Sequence, residues 1–231
     1  MRVLHEFLLS ALAGLVVTAA SPAKGSESGP LPPAGVSRSH PAVVRVDLYR
    51  GYLIVARGSI GPLKGLHFLL DTGATPTVLD PRLAQKLHLE QQPAGIAVLG
   101  GRVQGARSMA PSLEFGPIRA ANVPVLIEDL SFLEKALPVH IDAMIGLDVL
   151  GHGSFVIDYA SRAIGFGPAP PLPVSIPLRV KDGLAIVDAE VNHAPVRLLV
   201  DTGASSLILF ETGMPGSVSG LGVSAVRRST N

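Results

Sequence analysis

Cysteine is absent from all 231 residues, which excludes disulfides, thiolate nucleophiles and cysteine-ligated metals together. Stability must then come from a buried core. Charge is scarce as well. Charged residues make up 16% of the chain, the net charge is +1, and no Lys/Arg run exceeds Arg227-Arg228, so no basic footprint for nucleic acid exists. The longest apolar stretch, Phe7 to Ala20, has 14 residues, short of the roughly 20 that span a bilayer. Catalytic signatures of other classes are missing too. His5, His40, His67, His88, His140, His152 and His193 show no helical zinc spacing. There is no Gly-x-Ser-x-Gly elbow, and neither Gly146 nor Gly151 leads into the Lys-Ser/Thr of a phosphate loop. No metal or organic cofactor is expected.

Arg2, the apolar stretch from Phe7, and small residues at Ala19, Ala20 and Ala23 have the pattern of an export signal. Residues 1–20 read as a signal peptide, which implies a periplasmic or secreted protein with no membrane association after cleavage. Residues 21–42, rich in Pro, Gly and Ser, read as a linker.

Beyond the linker, short β-branched and aliphatic runs alternate with turn residues: Val43 to Val46, Tyr52 to Val55, Phe68 to Leu70 and Phe155 to Ile157. They are too short for helices and suit strands, with turns at Gly51, Gly58, Gly61, Gly65, Gly100, Gly101 and Gly105. The expected class is all-β. Two short helices interrupt it. Asp80-Pro81 offers an N-cap and a first-turn proline, with Leu79, Leu83, Ala84 and Leu87 on one face. Ser131 and Glu134 suggest a capping box for a helix over 132–137, ended by Pro138.

The chain also repeats itself. Gly51-Tyr-Leu-Ile-Val precedes Leu69-Leu70-Asp71-Thr72-Gly73-Ala74, and Gly183-Leu-Ala-Ile-Val precedes Leu199-Val200-Asp201-Thr202-Gly203-Ala204, with Asp71 and Asp201 130 residues apart. An apolar run follows each tetrapeptide, at Val78-Leu79 and at Leu207 to Leu209. This reads as two related lobes, joined by a hinge over 167–174. A single Asp-Thr-Gly is most simply a β-turn; two matched copies at strand ends ask for chemistry. Two carboxyl groups held close cannot both ionise easily, so they share one proton. The ionised member is then a base toward water and the protonated member an acid toward a carbonyl. Asp71 and Asp201 are the expected catalytic pair. Gly73 and Gly203 would turn backbone N–H groups toward the carboxylates, and the hydroxyls of Thr72 and Thr202 could bind backbone across the lobe junction. Asp142, Asp148 and Asp158 read as structural.

These loops, with Ala74 and Ala204 as their last residues, resemble the active-site loop of the retropepsin-like aspartic peptidases, specifically the exported bacterial two-lobe type. Ala143-Met144-Ile145-Gly146 is similar to that family's hydrophobic-hydrophobic-glycine element, and Phe155 to Tyr159 with Ile164 to Phe166 to the closing strands of its lobes. Leu99 to Arg102, centred on Gly100 and Gly101, lies where the resemblance puts the flap. The resemblance implies a pepsin/retropepsin-like acid protease fold, one complete lobe over 43–167 and a partial second lobe over 175–231, with extended polypeptides as substrates. It departs from the pattern after Asp201, where 30 residues remain against 75 from Asp71 to Gly146. The second copy has no flap and no apolar-apolar-Gly strand, which is expected to leave Leu199-Val200 and Leu207 to Leu209 without a partner strand. The segment 212–231 is expected to be poorly ordered. Three readings stay open: an aspartic endopeptidase with its pair within one chain, a homodimer pairing Asp71 with its symmetry mate through the first lobe, or an inactive, truncated module that binds extended peptides without cleaving them.

Overall fold

The computed structural model describes residues 42–98, 101–191, 193–206, 208–210 and 224–226. The expected signal peptide, nearly all of the linker, Gly100 and most of 212–231 lie outside them. No helix among the described residues is long and apolar enough to cross a membrane.

The described residues are mainly strands, in line with the all-β expectation. The first half begins with β1 (Ala42–Arg45), β2 (Asp47–Tyr49), β3 (Leu53–Ile60) and β4 (Leu63–Leu70), followed by β5 (Val78–Leu79) and helix α1 (Pro81–Lys86). A long hairpin, β6 (Gln92–Val98) and β7 (Gly101–Phe115), leads into β8 (Ile118–Ile127). Next come β9 (Ala143–Ile145), a single-turn helix α2 (Leu147–Leu150), β10 (Phe155–Asp158) and β11 (Ala163–Phe166). Eight strands form one sheet in the order β2-β3-β4-β9-β5-β8-β7-β6. Strand β9 is inserted between the two strands that flank the Asp71 loop: it runs parallel to β4, with Leu69 opposite Met144, and antiparallel to β5, with Val78 opposite Met144.

The unbroken apolar runs of β3 and β4 supply the core on both faces of the sheet. Ile54, Ile60, Phe68, Leu70, Leu113 and Phe115 are fully buried in one cluster, and Leu53, Leu69, Leu130 and Leu133 lie in a second. Three glycines expected at turns stand inside strands instead: Gly58 in β3, Gly65 in β4 and Gly105 in β7. At Gly58 the reason is packing. A Cβ there would lie 1.9 Å from the Phe68 ring, and the β3–β4 register shifts at Gly58/Ser59, a bulge that lets the ring fill the core.

Helix α1 starts as its sequence suggests, with the Asp80 side chain accepting from the Arg82 N–H at 2.9 Å. The second helix differs. It is a short 3₁₀ turn, Ser131–Lys135, with no side-chain cap. The Asp129 carboxylate takes the Ser131 N–H, while Glu134 turns outward to Arg82 and His140, so both halves of the capping box are engaged elsewhere.

The second half holds β12 (Leu178–Lys181), β13 (Leu184–Val191), β14 (Ala194–Leu199), β15 (Ile208–Phe210) and β16 (Ser224–Val226). Here the expectation of unpartnered strands is corrected on one side. Leu199 pairs with Ile186 of β13, and β15 pairs in parallel with β16, Ile208 opposite Ser224. Ala185 and Val200 are buried in the first half's main cluster, with Leu178 and Val187 packed against it. The second half is thus fastened to the first by shared apolar burial.

Candidate active site

Strand β4 carries Asp71 to its C-terminal end, and the Asp71 N–H donates to the Ile145 carbonyl at 3.0 Å. The loop then folds back on its own side chain. The Gly73 N–H donates to Asp71 Oδ1 at 2.8 Å, and the Gly203 N–H to Asp201 Oδ1 at 2.7 Å. Neither glycine has a positive φ. Each is needed for close approach instead. A methyl group on Gly73 would sit 2.4 Å from Asp201 Cγ, and one on Gly203 would sit 2.9 Å from Asp71 Cγ. The two carboxyl groups therefore lie against each other's loops within a single chain.

The loops are cross-braced by their threonines. Thr72 Oγ1 donates to the Val200 carbonyl at 2.8 Å and accepts from the Thr202 N–H at 3.0 Å. Thr202 Oγ1 donates to the Leu70 carbonyl at 2.9 Å and accepts from the Thr72 N–H at 3.1 Å. Four buried bonds related by the 130-residue repeat fix the loops to each other; both threonines are almost fully enclosed. Burial pushes the Asp71 carboxyl well above its ordinary value, as do the facing Asp201 carboxylate and a hydrogen bond with it, while the N–H groups of Gly73 and Ala74 pull the other way.

Other residues support the pair, and one of them, Thr77, carries no signal in the sequence. Buried Thr77 receives both oxygens of Asp148: Thr77 N–H and Oγ1 each donate at 2.9 Å, and Thr77 Oγ1 accepts from the Gly146 N–H at 3.1 Å. The Leu147 N–H reaches the Ala74 carbonyl at 3.2 Å. Asp148 thus has a structural role, clamping the Asp71 loop to β9 and α2. Replacing it with Ala strands a buried N–H and hydroxyl, and should lower the unfolding free energy by about 1–3 kcal/mol, with Asn retaining part of it; urea midpoints measure the difference.

Across the junction, the buried Tyr52 side chain hydrogen-bonds Ser205, and a Cβ on Gly183 would meet Thr75 Oγ1 at 2.6 Å. Both contacts join a loop to the start of the opposite half's first long strand. The repeat of Gly51-Tyr and Gly183-Leu was the available clue, since it puts residues 52 and 184 at matching positions. Asp142 accepts from the His67 N–H, and Asp158 from the Ser161 N–H, both remote from the loops in the sequence.

The hairpin expected to be a flap is formed by β6 and β7, with Val98 opposite Gly101; Gly100 lies outside the described residues. A cavity of about 630 Å³ is lined by Pro76, Leu87, Leu89, Met109 and Pro124 among others. It contains neither Asp71 nor Asp201, and Pro76 is its nearest link to the loop. Among the described residues no three His, Asp or Glu side chains converge as a metal site.

Comparison with known proteins gives three results. A crystal structure of a retropepsin-like aspartic protease from Rickettsia conorii is similar over 54% of this chain and 87% of its own, at 17% identity and a TM-score of 0.40. No curated protein matches. Residues 57–149 match the family model described as aspartyl protease. That segment runs from the middle of β3 through the Asp71 loop to α2, and it is similar to the aspartyl protease family over that length.

Proposed function

We propose that the chain is an aspartic endopeptidase whose catalytic pair is Asp71 and Asp201 of one molecule. The observation that carries this is the reciprocal bracing of two Asp-Thr-Gly-Ala loops, each pressed against the other's carboxylate. The same bracing favours a pair within one chain over one formed between two copies, because the Thr72 hydroxyl is already engaged by Thr202 and Val200 of its own chain.

In this reading the two carboxyl groups hold one proton between them. The ionised carboxylate removes a proton from water as the oxygen attacks the peptide carbon, and the protonated carboxyl donates to the carbonyl oxygen. The tetrahedral intermediate collapses as its C–N bond breaks, a proton passes to the leaving nitrogen, and the pair regains its single proton. An extended polypeptide with apolar side chains near the cleaved bond suits the chain's aliphatic composition. The export-signal pattern of residues 1–20 supports a reaction in the periplasm or outside the cell.

A second reading, a peptide-binding module without turnover, rests on one feature of the second half. The Asp201 N–H has no acceptor among the described residues to match Ile145 for Asp71, so the Asp201 loop is held on one side only.

The test is hydrolysis of an apolar-rich peptide library across acid and neutral pH, read by mass spectrometry. Activity is expected to fall as pH rises through the raised Asp71 value, because the shared proton is then lost. Stability should follow the same direction. The folded state holds the Asp71 proton more tightly than the unfolded chain, so its contribution is complete below the ordinary carboxyl value of 3.8 and is lost as pH rises through the folded value. A thermal midpoint that climbs over that window would contradict the assignment. Absence of turnover with retained peptide affinity would favour the second reading.

A further inference from the structure

The two acidic loops are not held alike. Beyond the shared threonine brace, the Asp71 loop is fixed to its own half: Asp71 N–H donates to the Ile145 carbonyl at 3.0 Å, and the Ala74 carbonyl accepts from Leu147 N–H at 3.2 Å. Among the described residues, 201–204 make no backbone bond of that kind. The Asp201 loop is held from the first half instead. Ser205 occupies the place after Asp201 that Thr75 occupies after Asp71; it is buried, and its side chain hydrogen-bonds the Tyr52 hydroxyl. The opposite corner differs. Gly183-Leu184 stands there in place of Gly51-Tyr52 and offers Thr75 no hydroxyl; Thr75 Oγ1 lies 2.6 Å from where a Cβ on Gly183 would be.

Tyr52 comes from a firm support. Its side chain is buried in the cluster that holds Leu69, Leu130 and Leu137. The turn before it, Arg50-Gly51, has both residues at positive φ, and the Tyr52 N–H closes it on the Tyr49 carbonyl at 3.1 Å. The Arg50 guanidinium ties that turn down by donating to the Ala136 and Lys135 carbonyls at 2.9 and 3.2 Å. With the ring held, little but the rotation of the hydroxyl remains free.

We propose that Tyr52 is a positioning residue for hydrolysis, setting through Ser205 where the Asp201 carboxylate stands against Asp71. The loop is then fixed at both ends to the first half, by Thr202 on Thr72 and by Ser205 on Tyr52. Between those points lies Gly203, whose N–H holds Asp201 Oδ1 at 2.7 Å. Losing the Ser205 contact releases one end while both carboxylates, both glycines and the threonine brace stay in place. A misplacement of about 1 Å can cost 10²-fold in rate. The inference rests on the reading that Asp71 and Asp201 hydrolyse peptides, so its test includes one measurement that needs no turnover.

Tyr52→Phe keeps the ring and removes the hydroxyl. With a peptide that the parent cleaves, kcat is expected to fall at least about tenfold while KM changes less than about twofold. Ser205→Ala should do the same. Ser205→Thr, which puts the first loop's residue at this place, should keep most of the rate. The double variant, Tyr52→Phe with Ser205→Ala, separates positioning from packing. It leaves no buried hydroxyl unpaired, so its urea midpoint should recover toward that of the parent, yet its kcat should stay as low as in the single variants. Recovery of kcat together with the midpoint, or an unchanged kcat in Tyr52→Phe, overturns the proposal. Amide hydrogen exchange is the measurement without turnover: in Tyr52→Phe it should quicken at Gly203 to Ser205 and not at Gly73 to Thr75. Equal change in both loops, or in neither, overturns the proposal even if the parent cleaves nothing. A change confined to the Asp201 loop of such a parent would support the tether and sink the peptidase reading alone.

Discussion

Asp201→Asn is expected to abolish peptide hydrolysis, lowering kcat by at least about 10³-fold, the scale of a lost acid–base partner. Asparagine matches the shape of aspartate and keeps an oxygen for the Gly203 N–H, which reaches Asp201 Oδ1 at 2.7 Å. The fold should therefore survive, as far-UV spectra and an unfolding midpoint no lower than that of the parent at neutral pH would show. What disappears is the second carboxyl of the pair. Asp71 then has no neighbouring carboxylate to raise its affinity for a proton, and no partner that can hold the opposite protonation state. Its own proton should leave at lower pH, visible by NMR titration of the Asp71 carboxyl. Asp71→Asn should be equally inactive, and mixing the two variants should restore nothing, because each molecule brings its own pair together. Full activity of the Asp201→Asn protein would overturn the in-chain pair and leave association through the first half as the source of hydrolysis. Restored activity on mixing would mean instead that Asp71 of one molecule pairs with Asp201 of another.

The legible part of this molecule was what repeats or alternates. Short unbroken apolar runs between turn residues mark the strands around Leu53, Phe68 and Phe155, and the paired tetrapeptides mark loops that the fold sets face to face. Asp80-Pro81 marked a helix start because both the cap and the proline act within one turn. What could not be read depends on partners distant in sequence. Gly58 reads as a turn until the Phe68 ring is seen lying against it. Ser131 and Glu134 have the spacing of a capping box, yet Asp129, Arg82 and His140 compete for them and win. Asp148 reads as a local turn residue, and its actual partner is Thr77, 71 positions away. The pairing of β15 with β16 has no signal in the sequence, because the residues between them are rich in Gly and Ser and carry no periodicity.

Thr72→Val should be the most damaging change that leaves both carboxylates in place. The methyl group fills nearly the same space as the hydroxyl but neither donates nor accepts. Two buried groups lose their partner at once: the Val200 carbonyl, which Thr72 Oγ1 reaches at 2.8 Å, and the Thr202 N–H, which reaches Thr72 Oγ1 at 3.0 Å. Each orphan costs about 1–3 kcal/mol, so a loss of roughly 2–6 kcal/mol in unfolding free energy is expected. That is a large share of a domain's total stability. Thr72→Ser keeps the oxygen and should lose far less. The same bonds set the distance between the loops, so kcat should fall much more than KM rises, and a merely looser fold would not produce that split. Thr202→Val should behave alike, since its hydroxyl serves the Leu70 carbonyl and the Thr72 N–H. Because all four bonds brace one junction, the double variant should lose less than the sum of the two. Additive losses, or a Thr72→Val protein with unchanged kcat, would mean that the bracing does not hold the carboxylates in register.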